Sequence, residues 1–177
     1  MRPVLVLSSL LTLAGCGTSP APGTSEELLH CDDKPLVHSV PAPGTSPHLA
    51  TCSDACGNGL NPPTGGPHCG QTSACRAFTA PEPDCKWIHN LEHGHAVLLY
   101  NCPDGCPEIV EKLTAIWRDA GFNKRILLTP WPGLQKKVAA VVWGWSWSGD
   151  EVDREAIACV LSHQDEAAPE AGLSCSP

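Results

Sequence analysis

His95-Ala96-Val97-Leu98-Leu99-Tyr100-Asn101-Cys102-Pro103-Asp104-Gly105-Cys106-Pro107 is the stretch that decides the fold. Its first six residues form an apolar run of strand length, closed by turn-forming residues. Pro107 stands where a first helical turn tolerates it, since that N–H would have no intrahelical acceptor, and Glu108 and Glu111 suit the positive helix end. Ile109, Val110, Leu113, Ile116, Trp117 and Ala120 then recur at helical spacing until Gly121 stops the run. Arg125 to Pro130 reads as a second strand and Val138 to Trp147 as a third, with Pro132-Gly133 turning the chain between them. Asp150 or Asp153 caps a last helix through Ala156, Ile157, Val160 and Leu161, ended before Pro169. The order is β-α-β-β-α. A right-handed crossover lays the first two strands parallel, and the third returns antiparallel. The expected class is α+β, one small domain, with Trp143, Trp145 and Trp147 alternating onto one buried face of the third strand.

Upstream of this core the chain changes character. From Cys52 to Asp84 cysteine, proline and glycine abound without a sustained period, which reads as an irregular, disulfide-stapled segment. From Gly17 to about His48 it is rich in Pro, Gly, Ser and Thr, and Ala-Pro-Gly-Thr-Ser occurs at residues 21–25 and again at 42–46. Such composition reads as a tether, with Cys31 placed to pin it to the body. At the N-terminus, Met1-Arg2 is a basic start, and Pro3 to Ala14 is mostly apolar but too short to span a bilayer. Leu13-Ala14-Gly15-Cys16 resembles the lipobox of bacterial lipoproteins. That resemblance implies removal of residues 1–15, lipidation of Cys16, and anchorage of the chain to a lipid bilayer, each buried methylene adding ~0.8 kcal/mol. Gly17 rather than an aspartate follows, so it also implies sorting to the outer membrane of the cell envelope. The expected organisation is therefore a signal peptide over 1–15, a lipidated tether over 16–50, a domain over 51–170 and a tail over 171–177.

The chain carries a formal charge of −8, and its acidity argues against a nucleic-acid partner, which wants a basic face. Eleven cysteines in 177 residues suit an oxidising compartment. Setting Cys16 aside leaves an even number, fit for up to five bridges whose pairing the sequence cannot supply.

Two clusters carry chemistry. His89-Asn90-Leu91-Glu92-His93-Gly94-His95 gathers three imidazoles and a carboxylate in seven residues, and the stiff turn Asn61-Pro62-Pro63-Thr64-Gly65-Gly66-Pro67 presents His68. Imidazole is the commonest biological metal ligand. Read as extended chain leading into the strand, His89, Leu91, His93 and His95 face one way, so His93 and His95 are neighbours to which His68 could add a third nitrogen. The structural alternative is that these groups hydrogen-bond the backbone of a loop-rich region. The same letters have the H-x-x-E-H order of inverted zinc peptidases, but that motif needs a helix, and the flanking Pro81, Pro83 and Gly94 argue against one. The second cluster is Cys102-Pro103-Asp104-Gly105-Cys106-Pro107, at a helix start where amides would stabilise a thiolate. It resembles the C-P-D-x-C-P segment of Sco-type copper chaperones, which implies copper held by Cys102, Cys106 and a distant histidine; here only His163 lies downstream. A structural disulfide closing a tight loop is the alternative.

Asn61-Pro62-Pro63-Thr64-Gly65-Gly66-Pro67-His68, Ile88-His89-Asn90-Leu91-Glu92-His93-Gly94-His95 and Val142-Trp143-Gly144 together resemble a bacterial family, domain of unknown function 3105. Its members carry N-P-P-T-S-G-P-H, H-N-L-E-H-G and a late A-W-G. The resemblance spans about residues 58–170 and transfers His68, His89, Glu92 and His93. It names no chemistry. The expected function is a cell-envelope lipoprotein binding copper or zinc through His68, His89, His93 and His95. The alternatives are a hydrolase with Glu92 as base, a thiol oxidoreductase or copper chaperone using Cys102 and Cys106, and a disulfide-stapled module that binds a protein partner.

Overall fold

The computed structural model describes residues 30–42, 44–121 and 124–175. In chain order the elements are β1 (Val37–His38), β2 (His48–Leu49), β3 (His68–Cys69), α1 (Asp84–Glu92), β4 (Ala96–Tyr100), α2 (Pro107–Ala120), β5 (Ile126–Pro130), β6 (Val138–Val142), β7 (Trp145–Gly149) and α3 (Arg154–Ser162). The larger sheet has the order β1-β7-β6-β4-β5. β4 and β5 run parallel across the α2 crossover, and β6 returns antiparallel to β4, as the crossover argument requires. The fold is α+β.

Alternation along the central strands divides the core in two. Ala96, Leu98, Ile126, Leu128, Val138, Ala140 and Val142 face α2 and α3, meeting Leu113, Ile116, Ile157 and Val160. Val97, Leu99, Leu127, Ala139 and Val141 face the other way, onto Trp87, Ile88 and Leu91 of α1. The sheet is thus covered on both faces, which is why β4 reads as an unbroken apolar run. Pro107 opens α2 and Gly121, at φ +74°, closes it. Asp153 caps α3, its Oδ1 accepting the N–H groups of Glu155 and Ala156.

Four expectations need correction. The third strand is two strands: Trp143-Gly144 forms a two-residue turn, Val142 pairs with Trp145, and Gly144 adopts φ +80°. The turn sends Trp143 to the α1 face while Trp147 stays on the α2/α3 face, so the three tryptophans do not share a side. The expected tether does not extend to residue 50, because β1 pairs with β7, β2 pairs with β3, and Cys31 is bonded to Cys159. Cys16 and the signal segment lie outside the described residues. Finally, residues 84–92 are a helix, not an extended approach to β4.

The ten cysteines from Cys31 onward form five disulfides: Cys31–Cys159, Cys52–Cys69, Cys56–Cys85, Cys75–Cys175 and Cys102–Cys106. Among the described residues no helix is long and apolar enough to cross a membrane.

Candidate metal centre

α1 builds the site. Its punctuation is regular for a helix. Pro83 occupies the N-cap position, Asp84 puts an acid in the first turn, and Gly94 follows the C-terminus with φ +76°. The Gly94 N–H donates to the Leu91 carbonyl and the His95 N–H to the Asn90 carbonyl, the crossed pair of a Schellman motif. A side chain at Gly94 would also meet Asp165 Oδ1 at 1.9 Å. Helical spacing places Trp87, Ile88 and Leu91 on the sheet. It places His89 and Glu92, three apart, on a common side toward β3, with Nε2 of His89 3.9 Å from Oε2 of Glu92.

β3 delivers His68 and β2 delivers His48, in register as parallel partners. Gly66, at φ +107°, lets the loop before β3 press onto Gly57, whose carbonyl carbon would lie 2.6 Å from a Cβ there. Its carbonyl accepts from His68 Nδ1 at 2.8 Å. His68 Nε2 then lies 3.0 Å from Glu92 Oε2, and His48 Nε2 lies 3.4 Å from the same oxygen. The three imidazole centroids stand 4.7–4.9 Å apart. One ligand atom each from His48, His68, His89 and Glu92 lies within 4.8 Å of all the others. Donors at ~2.1 Å from a tetrahedral ion are roughly 3.4 Å apart, so the carboxylate–imidazole spacings of 3.0, 3.4 and 3.9 Å suit one small cation.

Burial sharpens this. His68 is wholly buried, His89 and Glu92 are nearly so, and the His48 side chain is 52% exposed, which leaves the niche open to solvent on that side. Burial holds His89 below its ordinary pKa, and His93, His68 and His48 add to the effect. The ring is thereby kept neutral, the form that ligates. Its Nδ1 is buried and makes no hydrogen bond; the Gln71 carbonyl opposes the shift without reaching bonding geometry.

Of the residues the sequence nominated, His68, His89 and Glu92 converge. His93 sits at the C-cap of α1, its ring 4.4 Å from that of His89, and its Nε2 is 3.2 Å from Glu170 Oε2. His95 does not join them. Its Nε2 donates to the Leu173 carbonyl at 2.8 Å, and its Nδ1 accepts from the Asn90 side chain at 2.9 Å. Burial pushes its pKa down to about 4, so it is a neutral, fully satisfied core imidazole. Cys102 and Cys106 are bonded to each other beyond the far end of β4, and His163 instead stacks on Trp145, so the two cysteines and that histidine do not meet. His48 was missed because it fell in the supposed tether. The signal was there: Pro47-His48 repeats Pro67-His68, and the two dipeptides are those that pair.

No curated protein and no solved structure matches this chain. The profile of the family described as protein of unknown function (DUF3105) matches residues 58–177, and the chain belongs to that family.

Proposed function

We propose that this DUF3105 protein binds a divalent transition metal, zinc or copper(II), through His48, His68, His89 and Glu92. One observation carries the reading. His68 is completely buried with both ring nitrogens facing acceptors, the Gly66 carbonyl and the Glu92 carboxylate. The Gly66 carbonyl takes the Nδ1 proton. Nε2 then faces a carboxylate 3.0 Å away, a contact that needs a positive charge between the two groups, and a cation shared by them supplies it. The Gly66 contact also has the form of the outer hydrogen bond that fixes the tautomer of a metal-bound histidine.

The donor set selects the ion. Three nitrogens and one oxygen suit zinc or copper(II), and the ten described cysteines, all in disulfides, offer no thiolate for copper(I). An oxidised framework also accords with the proposed setting: an envelope lipoprotein anchored at Cys16 on the outer membrane.

The deciding experiment is elemental analysis of the mature protein expressed in a periplasm. Zinc or copper should co-purify, and adding either ion to chelator-stripped protein should raise the melting temperature. Metal-free protein whose melting temperature ignores both ions would end the proposal. Anchorage is tested separately, by incorporation of a labelled fatty acid that Cys16→Ser abolishes; an unlabelled wild-type chain excludes the anchor.

A further inference from the structure

Glu92 belongs to two constellations. The first is the imidazole niche. The second brings one ligand atom each from Glu92, His93 and Glu170 within 4.8 Å of one another. His93 Nε2 and Glu170 Oε2 are 3.2 Å apart, the spacing of two donors on one small cation. The placement is built into the chain. The Schellman turn at Gly94 fixes His93 at the C-cap of α1. Glu170 is brought there by its own N–H, which donates to the Glu92 carbonyl at 3.0 Å. Charge supports a cation: two carboxylates face one imidazole. Arg125, which donates to the His93 carbonyl, is paired with Asp165.

Building on the mononuclear reading, we infer that the centre is dinuclear: a second divalent cation binds between His93 and Glu170, with the Glu92 carboxylate bridging the two ions. The imidazoles of the first niche make their closest approach to one oxygen of Glu92, Oε2. The bridge assigns the other oxygen to the second ion. Carboxylate-bridged pairs hold their ions about 3.5–4 Å apart, and the 4.4 Å between the His89 and His93 rings lets one imidazole serve each ion side by side. The second position is the more open, since Glu170 is 52% exposed and His93 16%. It therefore fills after the first and exchanges faster.

The test uses the full mature chain, stripped by chelator and titrated with zinc chloride and with copper(II) chloride. Two ions per chain should bind in distinguishable steps, and the fully loaded copper form should give an exchange-coupled electron paramagnetic resonance signal. Glu170→Gln, a conservative change at a half-exposed side chain, should weaken the second step at least tenfold, leave the first within twofold, and turn the coupled signal into that of an isolated ion. Glu92→Gln should weaken both steps. Stoichiometric binding of a single ion, unaltered by Glu170→Gln, overturns the dinuclear centre and leaves the mononuclear one standing. Binding of no ion overturns both.

Discussion

His68 and His95 are both completely buried imidazoles, each brought to α1 by a neighbouring segment, and they meet opposite fates. His95 has a donor for its lone pair and an acceptor for its N–H, so its hydrogen-bonding capacity is used up. His68 has acceptors on both sides, so a positive charge, on the ring or on a bound cation, has to stand between Nε2 and Glu92. Burial and residue type therefore do not distinguish a core histidine from a ligand. The count of donors against acceptors does.

The comparison breaks first at the C-terminal strap. Cys75 and Cys175 are separated by 100 residues, and their bond holds the segment whose Leu173 carbonyl receives the His95 N–H. Replacing both by serine should lower unfolding free energy by about 4–5 kcal/mol in a urea titration, while zinc affinity at the first site stays put. Next, His68→Ala should cost roughly 3–4 kcal/mol of metal affinity, several hundredfold, as one ligand of four. A competing chelator would measure it. His95→Leu is the counterpart. It leaves the Asn90 amide only its bond to the Ser73 carbonyl and the Leu173 carbonyl only Arg125, so it should cost about 2 kcal/mol of stability and leave metal affinity within twofold. A large affinity loss in that variant would erase the distinction between the two histidines. His48→Ala should weaken binding by roughly 1.4 kcal/mol, about tenfold, because its half-exposed ring is the ligand water most readily replaces.

The smallest effect is a control remote from both niches. Asp153→Ala should cost about 1 kcal/mol by removing the α3 cap. The Ala156 N–H holds the Asp153 carboxyl below its ordinary pKa, helped by Lys34. A depressed acid stabilises the fold above its unfolded value of about 4 and loses that contribution as pH falls through the folded value. The melting-temperature gap between wild type and variant should thus be full at neutral pH and close in acid, without changing metal binding.

The core was legible because its periods are clean. The unbroken apolar run of β4, the apolar stripe of α2 and the Pro107 and Gly121 boundaries each say one thing. β6 and β7 read as one strand because Val138 to Trp147 is apolar but for Gly144 and Ser146, and only Gly144 marks the reversal. The site was half legible. Local density exposed His89, Glu92 and His93, and the proline-stiffened turn exposed His68. Pro81, Pro83 and Gly94 read as helix breakers, whereas Pro83 and Gly94 are the start and stop signals of α1, and that inverts which side chains share a face. His48 was hidden because a parallel pair of two-residue strands leaves almost no trace in composition. Glu170 was hidden because what places it is a backbone hydrogen bond to α1 across a long sequence separation.

The Cys52–Cys69 bond ties β3, which Cys69 ends, to the chain just after β2, and these are the paired strands that carry His68 and His48. It clamps an arm that precedes the family-matched region onto the body, adding a covalent tie to the strand pairing that delivers the solvent-facing imidazole. A chain that is still reduced would hold that imidazole by strand pairing alone, and would be poorer at retaining a cargo ion. Formation of that bond would then act as a latch, postponing tight capture of the proposed ion until the thiols are oxidised.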